Sequence, residues 1–156
     1  MLKGFTKILY VSDLEKGSRP AFRAAVSLCN EYDAKITYLH VVEAVSNDKK
    51  EVDKMLAEGI ERLRDDVKKR LESFCEDELK DEYNLTADQV DVLVKEGRPW
   101  KVILKTAEKI DADVIVMGTR KSRTLDKFFL GSTASKVLDG INRPVLIVPL
   151  DDKKDK

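Results

Sequence analysis

The residues best suited to chemistry lie late in the chain: Gly118, Arg120 and Lys121, then Gly131, Ser132 and Thr133. A short apolar run, Val114–Met117, ends at Gly118. A basic stretch follows, and Gly131-Ser132-Thr133 then opens a helical pattern that closes near Asp139-Gly140. Glycine lets a ligand approach the backbone closely, and a helix start offers unpaired N–H groups at its positive dipole end. The hydroxyls of Ser132 and Thr133 add further donors. This order suits binding of a phosphate-bearing ligand and points to no reaction.

In open α/β sheets, ligands bind outside the carboxyl ends of the strands. Here those ends carry Ser12-Asp13, His40-Val41-Val42, Gly97 and Gly118. The first loop, Leu14–Gly17, is not Gly-x-Gly-x-x-Gly, and Gly-x-x-x-x-Gly-Lys-Ser/Thr occurs nowhere, so phosphates would have to use the late loop. Arg120, Lys121, Arg123 and Lys127 face only Asp126 in charge. That loop reads first as a solvated surface, next as a phosphate-facing cluster, and least as a patch for a partner or RNA. Ser12, Asp13 and His40 could be imagined as a triad, but no Gly-x-Ser-x-Gly elbow supports it. One histidine and two cysteines are too few for a His/Cys zinc site. The abundant carboxylates fall mostly on helix faces, where they solvate the surface.

The elements that must position these residues alternate from end to end. Lys7–Asp13, Lys35–Val42, Gln89–Lys95, Asp113–Met117 and Arg143–Pro149 read as strands. Between them lie a helix with Ser18 at its N-cap position and the stripe Phe22, Val26, Leu28 and Cys29, and a long amphipathic helix over Glu51–Glu82. Two shorter helices follow, Pro99–Ile110 and one from Ser132 to Asp139. Val/Ile/Leu-rich strands separated by helices imply parallel βαβ units buried on both faces. Proline cannot complete a central ladder, so the run bounded by Pro144 and Pro149 belongs at a sheet edge. An apolar edge invites aberrant pairing unless it is covered. A two-fold partner meeting Pro144, Val145, Leu146, Ile147 and Val148 is one solution, and predicts a homodimer.

The 156 residues suit one domain over 1–150, with the charged tail 151–156 expected to be disordered. Charged residues make up 37%, above the usual ~25%, yet Lys+Arg and Asp+Glu both number 29. That balance gives no global field for nucleic acid, so a nucleic-acid role is disfavoured. Cys29 and Cys75 sit on apolar helix positions and read as small buried hydrophobes. No apolar run approaches the length of a signal sequence core or a membrane span, and a cytoplasmic protein is expected.

The late loop also resembles the nucleotide loop of the universal stress protein family: Gly, two residues, Gly, nine residues, Gly, then Ser or Thr. Gly118 and Gly131-Ser132 fit with the nine-residue spacing intact, while Lys121 stands where the second glycine would be. Ile8–Asp13, Leu39–Val42, Glu96–Pro99 and Arg143–Val148 are similar to other family segments. The resemblance implies a doubly wound, Rossmann-like sheet of five parallel strands in the order 3-2-1-4-5. It also implies a dimeric, ATP-binding stress regulator with an unidentified protein partner. In that reading Ser12, Asp13, Arg120 and Lys121 are among the binding residues, with Asp13 contacting the ribose. Val41 lies against adenine, Gly97 approaches the ribose, and Gly118, Gly131, Ser132 and Thr133 cradle the phosphates. Mg²⁺ would arrive on those phosphates, and hydrolysis would be slow at most. Lys121 either replaces backbone donors with a point charge or closes the phosphate site. The second alternative leaves a nucleotide-free dimeric interaction module.

Overall fold

The computed structural model describes residues 4–12, 19–43, 49–77, 87–120 and 131–150. In chain order the elements are β1 (Lys7–Ser12), α1 (Arg19–Tyr32), β2 (Lys35–Val42), α2 (Lys49–Asp77), a 3₁₀ turn (Ala87–Gln89), β3 (Val90–Glu96), α3 (Pro99–Lys109), β4 (Val114–Arg120), α4 (Ser132–Gly140) and β5 (Val145–Leu150). All five strands join one parallel sheet, in the order β3-β2-β1-β4-β5. The predicted order is the observed one.

Alternation along the strands divides the core between the two sheet faces. Ile8, Tyr10, Ile36, Tyr38, Val114 and Val116 point to one face, where Phe22, Val26 and Cys29 of α1 cover them. Leu9, Leu39, Ile115 and Met117 point to the other, beneath Ile103 and Ala107 of α3 and Ala134 and Val137 of α4. Tyr10, Phe22 and Tyr38 meet in tilted and edge-to-face contacts, with centroids 5.1–5.9 Å apart. Below the sheet, one carboxylate oxygen of Asp113 accepts from the backbone N–H groups of Thr6 and Lys7 and from the Thr6 hydroxyl, at 2.9–3.0 Å. That clamp fixes the start of β1 beside the start of β4.

Several strand boundaries differ from the sequence expectation: β3 runs Val90–Glu96 against Gln89–Lys95, β4 begins at Val114 against Asp113, and β5 begins at Val145 against Arg143. β4 runs on past Met117 to Arg120, because Gly118, Thr119 and Arg120 continue the ladder opposite Val148, Pro149 and Leu150. Pro149 therefore lies inside β5 and does not terminate it. An edge strand tolerates this, since among the described residues no strand pairs with its second side. The expected N-cap Ser18, the helix end beyond Asp77 and the tail 151–156 fall outside the described residues, as does the side chain of Cys75.

Candidate functional site

A cleft of about 570 Å³ opens at the carboxyl edge of the sheet. It sits where the chain order reverses between β1 and β4, the position at which such sheets bind ligands. Ser12, Val41, Gly118 and Thr133, four of the residues expected there, line it together. They come from the ends of three strands and the first turn of α4. Tyr10, Val11, Ile103 and Met117 complete apolar walls, and His40 and Glu43 add polar groups.

Ser12, which lines the cleft, is held by buried polar contacts behind it. The Ser12 and Tyr38 hydroxyls lie 2.6 Å apart and are buried. The His40 Nδ1 is 3.2 Å from the Ser12 carbonyl oxygen. A carbonyl only accepts, so Nδ1 carries the hydrogen, and in the neutral ring Nε2 is left as an acceptor. Sequence reasoning missed Tyr38, because its hydroxyl reaches Ser12 only once β1 and β2 are paired in register. The signal within reach was its place in alternation with His40 on β2.

Gly97 supports the site from the end of β3. Its φ of +144° is a conformation side chains rarely adopt, and its N–H donates to the Val42 carbonyl at 3.0 Å. A β-carbon there would also stand 2.9 Å from Cγ2 of Val102. Gly97 is not among the lining residues; it shapes the turn into α3, whose first residue, Pro99, does line the cleft.

The three late positions play different parts. Gly118 is favoured by packing, since a β-carbon there would meet the Leu150 side chain, which would have to shift. Gly131 is the N-cap of α4, extended at φ −65° and ψ 169°, with open space where a β-carbon would go. Ser132 is thus the first helical residue and not the cap. The first intrahelical bond runs from the Ser135 N–H to the Gly131 carbonyl at 3.0 Å. The N–H groups of Ser132, Thr133 and Ala134 precede it and have no partner within the helix. With Thr133 lining the cleft, this turn brings donors and positive dipole to one end of it. Ser132 itself is exposed. Asp13 and Lys121 lie outside the described residues, as does the side chain of Arg120, whose backbone ends β4. Among the described residues no His, Cys, Asp and Glu cluster could hold a metal ion, and no helix is long and apolar enough to cross a membrane.

The model of the universal stress protein family matches residues 4–149. The chain belongs to that family. It is 31% identical over 147 residues to the universal stress protein YxiE of Bacillus subtilis, covering 92% of this chain and 99% of that protein. The structure of the universal stress protein UspA from Lactobacillus plantarum superposes with a TM-score of 0.70 at 22% identity, over 94% of this chain and 99% of the other. A universal stress protein solved in complex with cAMP gives a TM-score of 0.61 at 15% identity, over 94% and 98% of the two chains. Likeness at these identities speaks for the fold, and the family's architecture is the one found here.

Proposed function

We propose that this universal stress protein binds an adenine nucleotide, with ATP the preferred ligand, and acts in the cytoplasm as a dimeric regulator. The observation that carries the reading is the convergence of Ser12, Val41, Gly118 and Thr133 on one cleft at the switch point of the sheet. Its volume of about 570 Å³ falls within the roughly 300–1,000 Å³ usual for small-molecule sites. The apolar walls suit a base, and the helix start beside Thr133 suits phosphate. The family and the relative bound to cAMP lend support to a nucleotide. In this reading Asp13 and Gly97 serve the ribose end, and Val41 lies against the base. Gly131, Ser132 and Thr133 serve the phosphates, with Arg120 and Lys121 supplying countercharge and Mg²⁺ travelling on the nucleotide. The role is binding that biases a protein-facing surface, with hydrolysis slow at most.

Isothermal titration calorimetry with ATP–Mg²⁺ on native protein, Asp13→Ala and Lys121→Gly tests this. Micromolar binding that weakens at least tenfold in Asp13→Ala is the expected result. No binding by native protein, with binding gained in Lys121→Gly, would replace the proposal with a nucleotide-free interaction module.

A further inference from the structure

We infer that the surface groove between α3 and α4 docks an acidic protein segment carrying a single apolar anchor, whatever occupies the nucleotide cleft. The groove measures about 350 Å³. Its apolar floor is Leu104 and Ile141, with Trp100 as one wall. Gly140 makes the floor possible: a β-carbon there would lie 2.8 Å from Cδ1 of Leu104. A small apolar floor of this kind takes one side chain of a partner, not a flat surface.

The rim is cationic. Arg98, Lys101, Lys105 and Lys109 recur at steps of three, four and four, which places them on one face of α3 and at its start. Lys136 of α4 also approaches Trp100. The Lys101 and Lys136 Nζ atoms stand 5.4 Å and 5.9 Å from the indole centroid. Glu108 is the one carboxylate lining the groove. Among the described residues Lys101, Lys105 and Lys136 take part in no ion pair, whereas Arg143 is engaged with the Ala107 and Ala112 carbonyls and Asp111. The groove's lining carries Lys101, Lys105 and Arg143 against Glu108, with Lys136 beside Trp100, which leaves a positive balance around one apolar slot. Carboxylates flanking a Leu, Ile or Phe complement both features. Nucleic acid fits less well, because two ammonium groups already engage the indole ring that a base would stack on, and Glu108 would oppose a phosphate.

The test uses the full-length protein and a pool of fluorescein-labelled decapeptides rich in Glu and Asp, each with one Leu, Ile or Phe. Binding is read by anisotropy, and independently by the emission of Trp100, the chain's single tryptophan. Saturable binding that perturbs Trp100 and weakens with salt is expected. It should fall about tenfold or more in Lys101→Glu/Lys136→Glu and stay unchanged in Lys68→Glu/Lys69→Glu, an equal charge change on the exposed face of α2. All four lysines are exposed, so both variants should fold, and their thermal melts verify this. No saturable binding across the pool, or equal loss in both double variants, overturns the inference. Tighter competition by a single-stranded oligonucleotide of equal charge would overturn it in favour of nucleic acid. A dimer lost only in Lys101→Glu/Lys136→Glu would assign the face to a second copy of the chain.

Discussion

Leu150 occupies the space that a side chain on residue 118 would need. Leu150 is only 2% exposed and packs in the core beside α1, with one side bordering the cleft, so it can yield only at the expense of that packing. Gly118→Ala should therefore cost about 1–3 kcal/mol through overpacking, in protein free of nucleotide. Leu150→Ala alone should cost about 2–5 kcal/mol, and the double variant less than the sum, since each change relieves the other. Urea denaturation of the three variants measures this. A Gly118→Ala protein of native stability that no longer binds nucleotide would assign the glycine to the ligand instead.

Arg143 closes the exit of α3. Its guanidinium donates to the Ala107 carbonyl at 2.9 Å and the Ala112 carbonyl at 2.7 Å, around a turn in which Asp111 is held at φ 51°. Arg143→Met should lose about 1.5–3 kcal/mol, the usual worth of hydrogen bonds to a charged group. Arg143→Lys should recover only part, because an ammonium lacks the planar fork. Hydrogen exchange should rise first at residues 107–113. Exchange spread evenly over the domain would argue against a local clamp.

Burial pushes the Cys29 thiol above its ordinary value of 9.0, and the nearby Asp33 charge acts in the same direction. The native state thus holds the proton more tightly than the unfolded chain. The associated stability is fully present below about pH 9 and is lost as pH rises through the higher native value. In a Cys75→Ser background, Cys29 should not react with a disulfide reagent at pH 8 until denaturant is added. Rapid reaction in native buffer would contradict its burial.

β5 pairs with β4 on one side and with no strand of the described monomer on the other, and Leu146 upon it is 38% exposed. If the dimer forms through Pro144–Val148 as proposed, Leu146→Glu should shift the species from dimer to monomer in sedimentation velocity. The isolated domain should change little in stability, since surface substitutions usually lie within about 0.5 kcal/mol. A native protein that is already monomeric at high concentration would remove the dimer from the proposal.

Much of the fold was legible in the residues. Lys35–Val42 is the strand its pattern predicts, and the proline-bounded last run is an edge strand, because apolar periodicity and backbone donors are properties of the local chain. The placement of Ser12 and Val41 at the carboxyl ends of β1 and β2 followed from the same pattern, and the cleft they share with Gly118 follows from the strand order. Where β4 stops did not: Gly118 looks like a breaker locally, yet its ladder with β5 continues to Arg120. Nor could local pattern say that Gly118 is there for Leu150, that Gly131 and not Ser132 caps α4, or that the Tyr38 and Ser12 hydroxyls share a hydrogen bond across 26 residues of sequence. Sequence alone determined the α/β alternation and which residue types stand near the strand ends, because those depend on residue type and short-range spacing. The reasons individual residues are needed were decided by the tertiary structure, because register, close packing and hydrogen-bond partners exist only between segments the sheet brings together.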